Sequence, residues 1–534
     1  MRQAIIIALI IAGFGNVGAY GQIPTHSILN NSVTNLHAEG DVLWVGPHLN
    51  VTRDGGHSWY VADADSLVGL RNRVYSIDAE GDVIWVGLGT TRRVGTANGN
   101  EVVDLAKGFL FSEDGGTSWN YRSPLPPQDR DPTTTGILDL PEDTLITYGN
   151  VQIVALAITV PDVSPPWDID YDPVTGNVWA ANQLAGLRRS RDQGRSWQRV
   201  ILPPDTTRFL SPLLGYDFPY FVQPTNVPRE QFYGLNFQVF SVLADKAGTI
   251  WTGTADGVNR STDGGESWYH FTVEDGLTGN LVISIEEQLR SSPDPVIWIA
   301  TRPGYKRPGN EQYEQNYGVV VTRDSGQTFE QVLFGDPVWD FAFDDDRVYI
   351  AGNSGLHISE DDGRTFRTVR DFFDPSQPER TRLPNTAAYA VAVNSHGLWV
   401  GTEDGLFRSR NGGDTWQLFR TDVPLSPDER ASLVPIEMVP RVKTYAYPNP
   451  FSLSSDRLVR IRYQTESSGS VTVRIFDFSM SLVRTLSATA QQRGEHDISW
   501  DGIDSRGTRV ANGSYFYAVE IGRKTVWGKI LVLE

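Results

Sequence analysis

TRDGGHSW (52–59), SEDGGTSW (112–119), SRDQGRSW (190–197), STDGGESW (261–268), TRDSGQTF (322–329), SEDDGRTF (359–366) and SRNGGDTW (409–416) are seven copies of one phrase. The pattern is Ser/Thr-x-Asp-x-Gly-x-x-Trp, relaxed to Asn once and to Phe twice. Asp or Asn bonds its side-chain oxygen to backbone N–H groups two residues on, and Gly supplies positive φ, so each copy reads as a tight turn. The ring that closes the phrase opens a strand and offers a large surface to bury.

Upstream of each turn is a short β-branched and aromatic run bounded by turn residues. These runs are DVLWVG (41–46), DVIWVG (82–87), NVWAAN (177–182), TIWTGT (249–254), VIWIAT (296–301), RVYIAG (347–352) and GLWVGT (397–402). Such runs are strands. A third element precedes them, as in VYSIDAEG (74–81), VFSVLADKAG (239–248) and YAVAVNSHG (389–397). One unit therefore reads strand A, tight turn, strand B, loop, strand C, boxed turn, strand D. Of the 15 Trp, five close the phrase and six sit on strand B, which indicates packing between neighbouring units. Four antiparallel strands repeated seven times predict an all-β fold, a seven-bladed β-propeller. Phrase-to-phrase spacings are 60, 78, 71, 61, 37 and 50 residues. The shortest match a bare blade of roughly 40 residues, so the longer ones carry insertions. Each copy has its own four strands, and no strand exchange at closure is expected.

The chain has 534 residues, 46 Lys+Arg against 65 Asp+Glu, and a net charge of −19, which argues against a nucleic-acid surface. Hydrophobic residues at 40% and charged residues at 21% are a globular composition. Cysteine is absent, which excludes disulfides, Cys-ligated zinc, iron–sulfur clusters and thiol nucleophiles. At the start, Arg2 precedes an apolar run over 4–14, and Ala19-Tyr20-Gly21 offers a small-x-small cleavage site. Residues 1–21 thus read as a signal peptide, because a bilayer needs about 20 apolar residues. No later stretch is long and apolar enough to span.

The repeated phrase resembles the Asp-box (BNR) repeats of sialidase-like propellers, also found in sortilin-type receptors and photosystem-assembly propellers. The resemblance covers about 33–419 and implies that Asp54, Asp114, Asp192, Asp263, Asp324, Asp361 and Asn411 are structural. In such a wheel the A–B and C–D connections share a first face, marked by the phrases, and the B–C and D–A connections share a second. Insertions at 89–107 and 303–317 (B–C) and at 121–166 and 202–238 (D–A) are all expected on the second face, the usual signature of a binding surface. They carry Arg92, Arg93, Arg208, Tyr216, Tyr220, Tyr305, Arg307 and Tyr313 as candidate ligand-binding residues, since aromatic platforms with Arg suit a glycan, peptide or protein.

Residues 421–444, rich in proline and without period, read as a linker after a propeller over 22–420. The remainder, 445–534, alternates strands with Gly/Asp/Asn turns, a β-sandwich of Ig-like size. Pro448-Asn449-Pro450, Trp500-Asp501-Gly502, Asp504, Gly507, Gly513, Tyr515 and Gly528-Lys529 are similar to the Ig-like domain of flagellar hook-capping proteins and to sorting domains of the type IX secretion system. That resemblance implies delivery to the outer-membrane surface or the medium, with secretion machinery as a partner. Asp501 and Asp504 suit calcium or an ion-free Asx turn, and no cofactor is required. The chain is expected to be monomeric.

Catalytic signatures are sparse. Sialidases carry an Arg-Ile-Pro segment, which this sequence lacks. A different glycoside hydrolase needs two carboxylates about 5–5.5 Å or 6.5–9.5 Å apart. Candidates on the insertions are Asp129, Asp131, Glu142, Asp143, Asp217, Glu230, Glu311 and Glu314. Xyloglucanase-type enzymes that resemble the repeat pair two propellers, and one fits here. There is no His-x-x-x-His pair, Gly-x-Ser-x-Gly elbow or Walker loop. The sequence reads as an exported binding propeller, with polysaccharide hydrolysis as the alternative.

Overall fold

A computed structural model describes residues 22–62, 73–96, 99–122, 144–155, 164–216, 234–290, 295–305, 313–375, 381, 383, 385–421, 442–453 and 456–533. The expected signal peptide and nearly all of the expected linker lie outside them.

Seven antiparallel sheets follow one another, each built on four strands in the order A-B-C-D from one contiguous stretch, two of them with a fifth strand added outside strand D. The A strands are Leu36–Glu39, Arg73–Glu80, Pro166–Tyr171, Val239–Ala244, Leu281–Gln288, Val338–Asp344 and Ala388–Asn394. The B strands are Val42–Val45, Val83–Thr96, Val178–Asn182, Ile250–Thr254, Val296–Arg302, Arg347–Gly352 and Gly397–Thr402. The C strands are Asn50–Thr52, Gly99–Ser112, Gly186–Ser190, Gly257–Ser261, Gly318–Thr322, Gly355–Ser359 and Gly405–Ser409. The D strands are Trp59–Ala62, Asn120–Arg122, Gln198–Arg199, Trp268–Phe271, Glu330–Phe334, Arg367–Val369 and Gln417–Phe419. Each strand A touches strand A of the next blade, and the last touches the first, so the A strands ring the axis. The fold is a seven-bladed β-propeller, closed without strand exchange. One extra strand, Gln22–Thr25, pairs along the outer edge of the first blade's strand D.

Packing between blades follows the tryptophan pattern. Each strand-B ring shares an apolar cluster with the following blade: Trp44 with Val86, Trp85 with Ile169, Trp179 with Val242, and Trp251 with Ile285. Trp298 meets Phe341, Tyr349 meets Val391, and Trp399 closes the circle against Leu43, Val45 and Trp59 of the first blade. Six of these seven are tryptophans at 2% exposure or less, so burial of their area is a principal inter-blade stabilisation.

A second ring reinforces the first. In every blade one arginine donates to the carbonyl of the residue before the conserved glycine of the next blade's boxed turn. Arg53 reaches Gly115 O at 2.7 Å, Arg122 reaches Gln193 O at 2.8 Å, and Arg323 reaches Asp362 O at 3.0 Å. Arg189 bonds Gly264, Arg260 bonds Ser325, Arg367 bonds Gly412, and Arg408 bonds Gly55 to join the last blade to the first.

The C-terminal module packs a three-stranded sheet (Thr444–Tyr447, Val459–Thr465, Gly494–Trp500) against a four-stranded one (Gly469–Phe476, Leu482–Gln491, Gly513–Ile521, Lys524–Val532). Phe451, Ile461, Tyr463, Val473, Trp500, Tyr517 and Ile530 are among its buried core. Among the described residues no helix is long and apolar enough to cross a membrane.

The insertions depart from expectation. Residues 89–107 are not a loop: strands B and C of the second blade pair continuously out to Thr96 and Gly99, making a long hairpin arm. Within 121–166, the hairpin Thr144–Tyr148/Val151–Ala155 sends the Tyr148 hydroxyl to Glu266 O at 2.6 Å, on the first face. Within 202–238, Phe209–Leu210 adds a fifth strand outside strand D of the fourth blade. The described parts of the two D–A insertions therefore pack at the outer rim between the third and fourth blades. A connection's ends show where the chain leaves the sheet, not where its apolar residues find cover.

Candidate functional site

The boxed turns hold themselves. In each, the leading Ser/Thr hydroxyl donates to the Asp or Asn Oδ1 and accepts from the N–H of the conserved glycine, as Ser261 does with Asp263 at 2.8 Å and Gly265 at 2.9 Å. The carboxylate also accepts the N–H and hydroxyl of a Ser or Thr four residues on, Ser267 in this copy. All seven copies carry Ser or Thr there, a constraint missed in the sequence pattern. Burial works against the charged form of Asp54, but bonds from Ser58, Thr52 and His57 outweigh it and hold its pKa at about 2. With every oxygen committed, these residues form a scaffold and leave nothing for a ligand.

The described residues among those proposed from the insertions do not assemble. Arg92 is exposed on the hairpin arm opposite Val103, with Arg93 beside it opposite Val102. Arg208 is at the outer rim of the fourth blade, paired with Asp275 and with Glu274 at 3.7 Å. Tyr216 donates its hydroxyl to Phe209 O at 2.9 Å and packs on the core between blades three and four. Tyr313 packs beside Trp251 and Ile299, while Tyr305 is exposed. Tyr220 and Arg307 lie outside the described residues. So do the expected hydrolytic carboxylates, except the exposed Glu314.

What the fold does assemble is a collar around the axis. Six A strands bulge at one place, shifting register between Val74/Ser76, Pro166/Asp168, Val239/Ser241, Val282/Ser284, Val338/Asp340 and Ala388/Ala390. The skipped residues are Tyr75, Trp167, Phe240, Ile283, Trp339 and Tyr389. A bulge re-aims a side chain, and bulges are enriched beside functional sites. Strand A starts at the second face, so these six side chains, all partly or wholly exposed, surround the axis there. Tyr75 meets Trp167 edge-on at 5.5 Å, and Trp339 meets Tyr389 at 5.9 Å. Arg302, ending strand B of the fifth blade, lies 4.0 Å over the Trp339 ring. The signal was present in the sequence as VYS, PWD, VFS, VIS, VWD and AYA, an aromatic or apolar residue set before a small or acidic one.

Beneath the collar are carboxylates in two tiers. Asp168 and Asp340 directly follow the bulges, and Asp78, Asp170 and Glu286 face the strand-B rings one pleat deeper. An innermost strand leaves backbone N–H groups unpaired toward the axis, and buried donors need partners. The carboxylates supply them across the blade boundary: Asp78 accepts from Tyr171 N at 2.7 Å, Asp168 from Val242 N at 3.0 Å, and Asp340 from Val391 N at 2.9 Å. Burial pushes Asp168 and Asp340 up to about 7 against the pull of these bonds. Burial first, then neighbouring carboxylates, raises Glu286 and Asp170 well above the usual range.

The module walls one side of this face. Asp404, in the B–C turn of the last blade, is buried between Arg420 of the wheel at 3.1 Å and Arg460 of the module. Arg457 reaches Asp371 of the sixth blade's D–A connection at 2.8 Å. Between wheel and module opens a cleft of about 430 Å³ lined by Asn30, Glu403, Tyr445 and Tyr447 among others. In the module, Asp504 Oδ1 accepts from Arg506 N and Thr508 N at 2.8 and 2.9 Å, and Asp501 accepts from Ile503 N at 3.1 Å. These are Asx turns. Among the described residues no three His, Asp or Glu are grouped to hold a metal ion.

A family model described as the FlgD Ig-like domain matches residues 451–524. A probable oligoxyloglucan-reducing end-specific xyloglucanase of Neosartorya fischeri is 22% identical over 288 residues, 51% of this chain and 31% of that protein. The chain thus spans about a third of the curated relative it matches. Among solved structures, a GH74 enzyme of Niastella koreensis is 12% identical, with 97% of this chain and 75% of that one covered and a TM-score of 0.43. PorZ, a surface component of the type-IX secretion system of Porphyromonas gingivalis, is 14% identical, with 94% and 66% covered and a TM-score of 0.32.

Proposed function

We propose that the protein is an exported, surface-displayed or secreted propeller that binds a glycan, peptide or protein on its second face, with the C-terminal module serving export or anchoring. The carrying observation is the collar of six bulged residues around the axis. Partly exposed rings beside carboxylates and a guanidinium are the lining a ligand site needs. This site replaces the scattered insertion residues as the place where binding is expected. The test is a glycan and peptide array on the full secreted chain with parallel turnover assays. Trp339→Ala should abolish capture, and capture unchanged in that variant would remove the reading. For export, deletion of 442–534 should leave the wheel in the periplasm, and normal delivery without the module would remove its sorting role.

Glycoside hydrolysis is a second reading, supported by Asp168 and Asp340, whose pKa near 7 suits general-acid work. Turnover of an oligosaccharide that disappears in both Asp168→Asn and Asp340→Asn would favour it over binding alone.

A further inference from the structure

The module's two sheets have unlike outer faces. Arg460 and Tyr447, on the outer face of the three-stranded sheet, line the cleft against the wheel. The outer face of the four-stranded sheet turns the opposite way, and the described residues leave it uncovered. Leu482, Phe476 and Phe516 are cross-strand neighbours there, with Trp527 on the next strand. The Trp527 ring meets Phe476 at 5.7 Å, and Phe478 meets Phe516 at 6.5 Å. Phe478 is 79% exposed, and Met480, Leu482 and Trp527 are each more than half exposed. A contiguous apolar patch, unlike a single exposed ring, marks an interaction surface. The turn between Phe476 and Leu482 adds a second sign. Met480 has a φ of 64°, left-handed backbone that glycine or asparagine adopts more readily. Asp477 braces the turn, accepting from Ser481 N and from the Ser479 hydroxyl at 2.8 Å each. Such outliers cluster at functional segments, and this one presents a thioether to solvent.

We propose that a second copy of this chain covers this face, the two four-stranded sheets packing against each other about a two-fold axis. The dimer goes beyond the second-face binding reading, does not depend on it, and replaces the monomer that the sequence suggests. The area fits. These six side chains offer roughly 500–600 Å² of apolar surface, taking a whole aromatic side chain as about 150–250 Å². A homodimer interface of standard size buries about 800 Å² on each partner, about 65% of it apolar, which is about 520 Å². The charges fit as well. Residues 445–534 carry 11 Lys+Arg against 9 Asp+Glu, whereas the residues before them carry 35 against 56. Two such acidic wheels repel, so self-association belongs on the nearly balanced module. Four sheets stacked about 10 Å apart would hold the wheels about 30 Å or more from each other, well beyond a Debye length of about 8 Å. A membrane fits less well. Arg474 and Glu520 in this face pair with each other, leaving Lys529 beside Phe516, whereas an anionic bilayer is recognised by clusters of about four to eight cations.

The test is sedimentation equilibrium of the chain 22–534 across the micromolar range. The parent should rise with concentration from the chain mass to twice that mass. Phe478→Asp and Trp527→Asp should each weaken dimerisation by about tenfold or more, because a two-fold contact buries every new charge twice. Both should melt at the parent's temperature in dilute solution, which separates a lost interface from a lost fold. Met480→Gly should also weaken dimerisation, while leaving the melting temperature of the dilute monomer unchanged or raised, since glycine relieves the turn. Should the aspartate variants melt low, Met480→Gly decides, and undiminished dimerisation in it would overturn the inference. A parent that stays at the chain mass throughout would overturn it too. Dimers of unaltered strength in both aspartate variants would place the contact elsewhere and have the same effect. So would a monomeric parent that sediments with phosphatidylethanolamine–phosphatidylglycerol vesicles and loses them in Trp527→Asp, since the face would then belong to a membrane.

Discussion

At the scale of single residues, the boxed turn explains why one glycine recurs and its neighbour varies. Both positions are left-handed: φ is 71° at Gly264 and 87° at Gly265, and 58°, 56° and 63° where Gln193, Ser325 and Asp362 replace the first glycine. A side chain can bear that φ where space is open, and nothing comes within 4 Å of a Cβ built at Gly264. At Gly265 a Cβ would be 2.8 Å from the Trp179 ring of the preceding blade, and Gly116, Gly326 and Gly363 meet Trp44, Trp251 and Trp298 in the same way. The glycine is required by the neighbouring blade as much as by the turn. Gly264→Ala should lower stability by about 1 kcal/mol, the cost of the left-handed backbone. Gly265→Ala should cost about 2–5 kcal/mol, because overpacking is added to strain. Urea midpoints of the two variants check this, and equal losses would refute the inter-blade explanation. Asp and Trp made this turn legible in the sequence. The Ser/Thr four residues past the Asp, bonded to both carboxylate oxygens, passed as filler because a small polar residue looks ordinary in any turn.

At the scale of elements, the strands were legible because periodicity and turn residues agree, and because tryptophan marks the same strand in six blades. The inter-blade arginine ring was not. Its members come from strand C (Arg189, Arg260, Arg408), from the boxed turn (Arg53, Arg323) and from strand D (Arg122, Arg367), so no single repeat position carries the signal. The collar escaped for another reason: a bulge is a register property, and register appears only when two strands are paired. Within the ring, burial decides which bond matters. Arg408 is 4% exposed, lies over Trp399 and joins the last blade to the first, whereas the Arg367 side chain is 43% exposed. Arg408→Ala should cost about 2–4 kcal/mol, from a charged hydrogen bond and lost packing. Arg367→Ala should cost about 1 kcal/mol or less, as exposed partners do. Chemical denaturation of both variants reads the difference, and equal losses would show that closure does not depend on the buried bond.

At the scale of the molecule, wheel and module meet through a carboxylate buried between two guanidiniums, Arg420 and Arg460. Removing the carboxylate leaves two buried cations facing each other, which is strongly destabilising. Asp404→Asn should therefore split one calorimetric transition into two, with the module melting apart from the wheel, and a single unchanged transition would mean that the contact does not couple them. Proton linkage gives the wheel an unusual pH profile. Asp168 and Asp340 have folded pKa values near 7, above the ordinary 3.8 of an unfolded chain. Between those values the folded state binds more protons, so stability falls as pH rises from about 4 to 7 and then levels. The boxed-turn carboxylates act in the opposite sense. Asp54, held at about 2, contributes stability above pH 4 that is lost as pH falls toward 2. Melting temperature should therefore climb as pH is lowered from 8 to about 5 and collapse only in stronger acid. Asp340→Asn isolates the axial share, since the amide oxygen still accepts from Val391 N without a charge to bury. Its melting temperature should exceed that of the parent at pH 8, converge with it near pH 4, and show a shallower slope between. Parallel curves for variant and parent would show that the axial carboxylates titrate as ordinary ones and that their burial exerts no pull on the wheel.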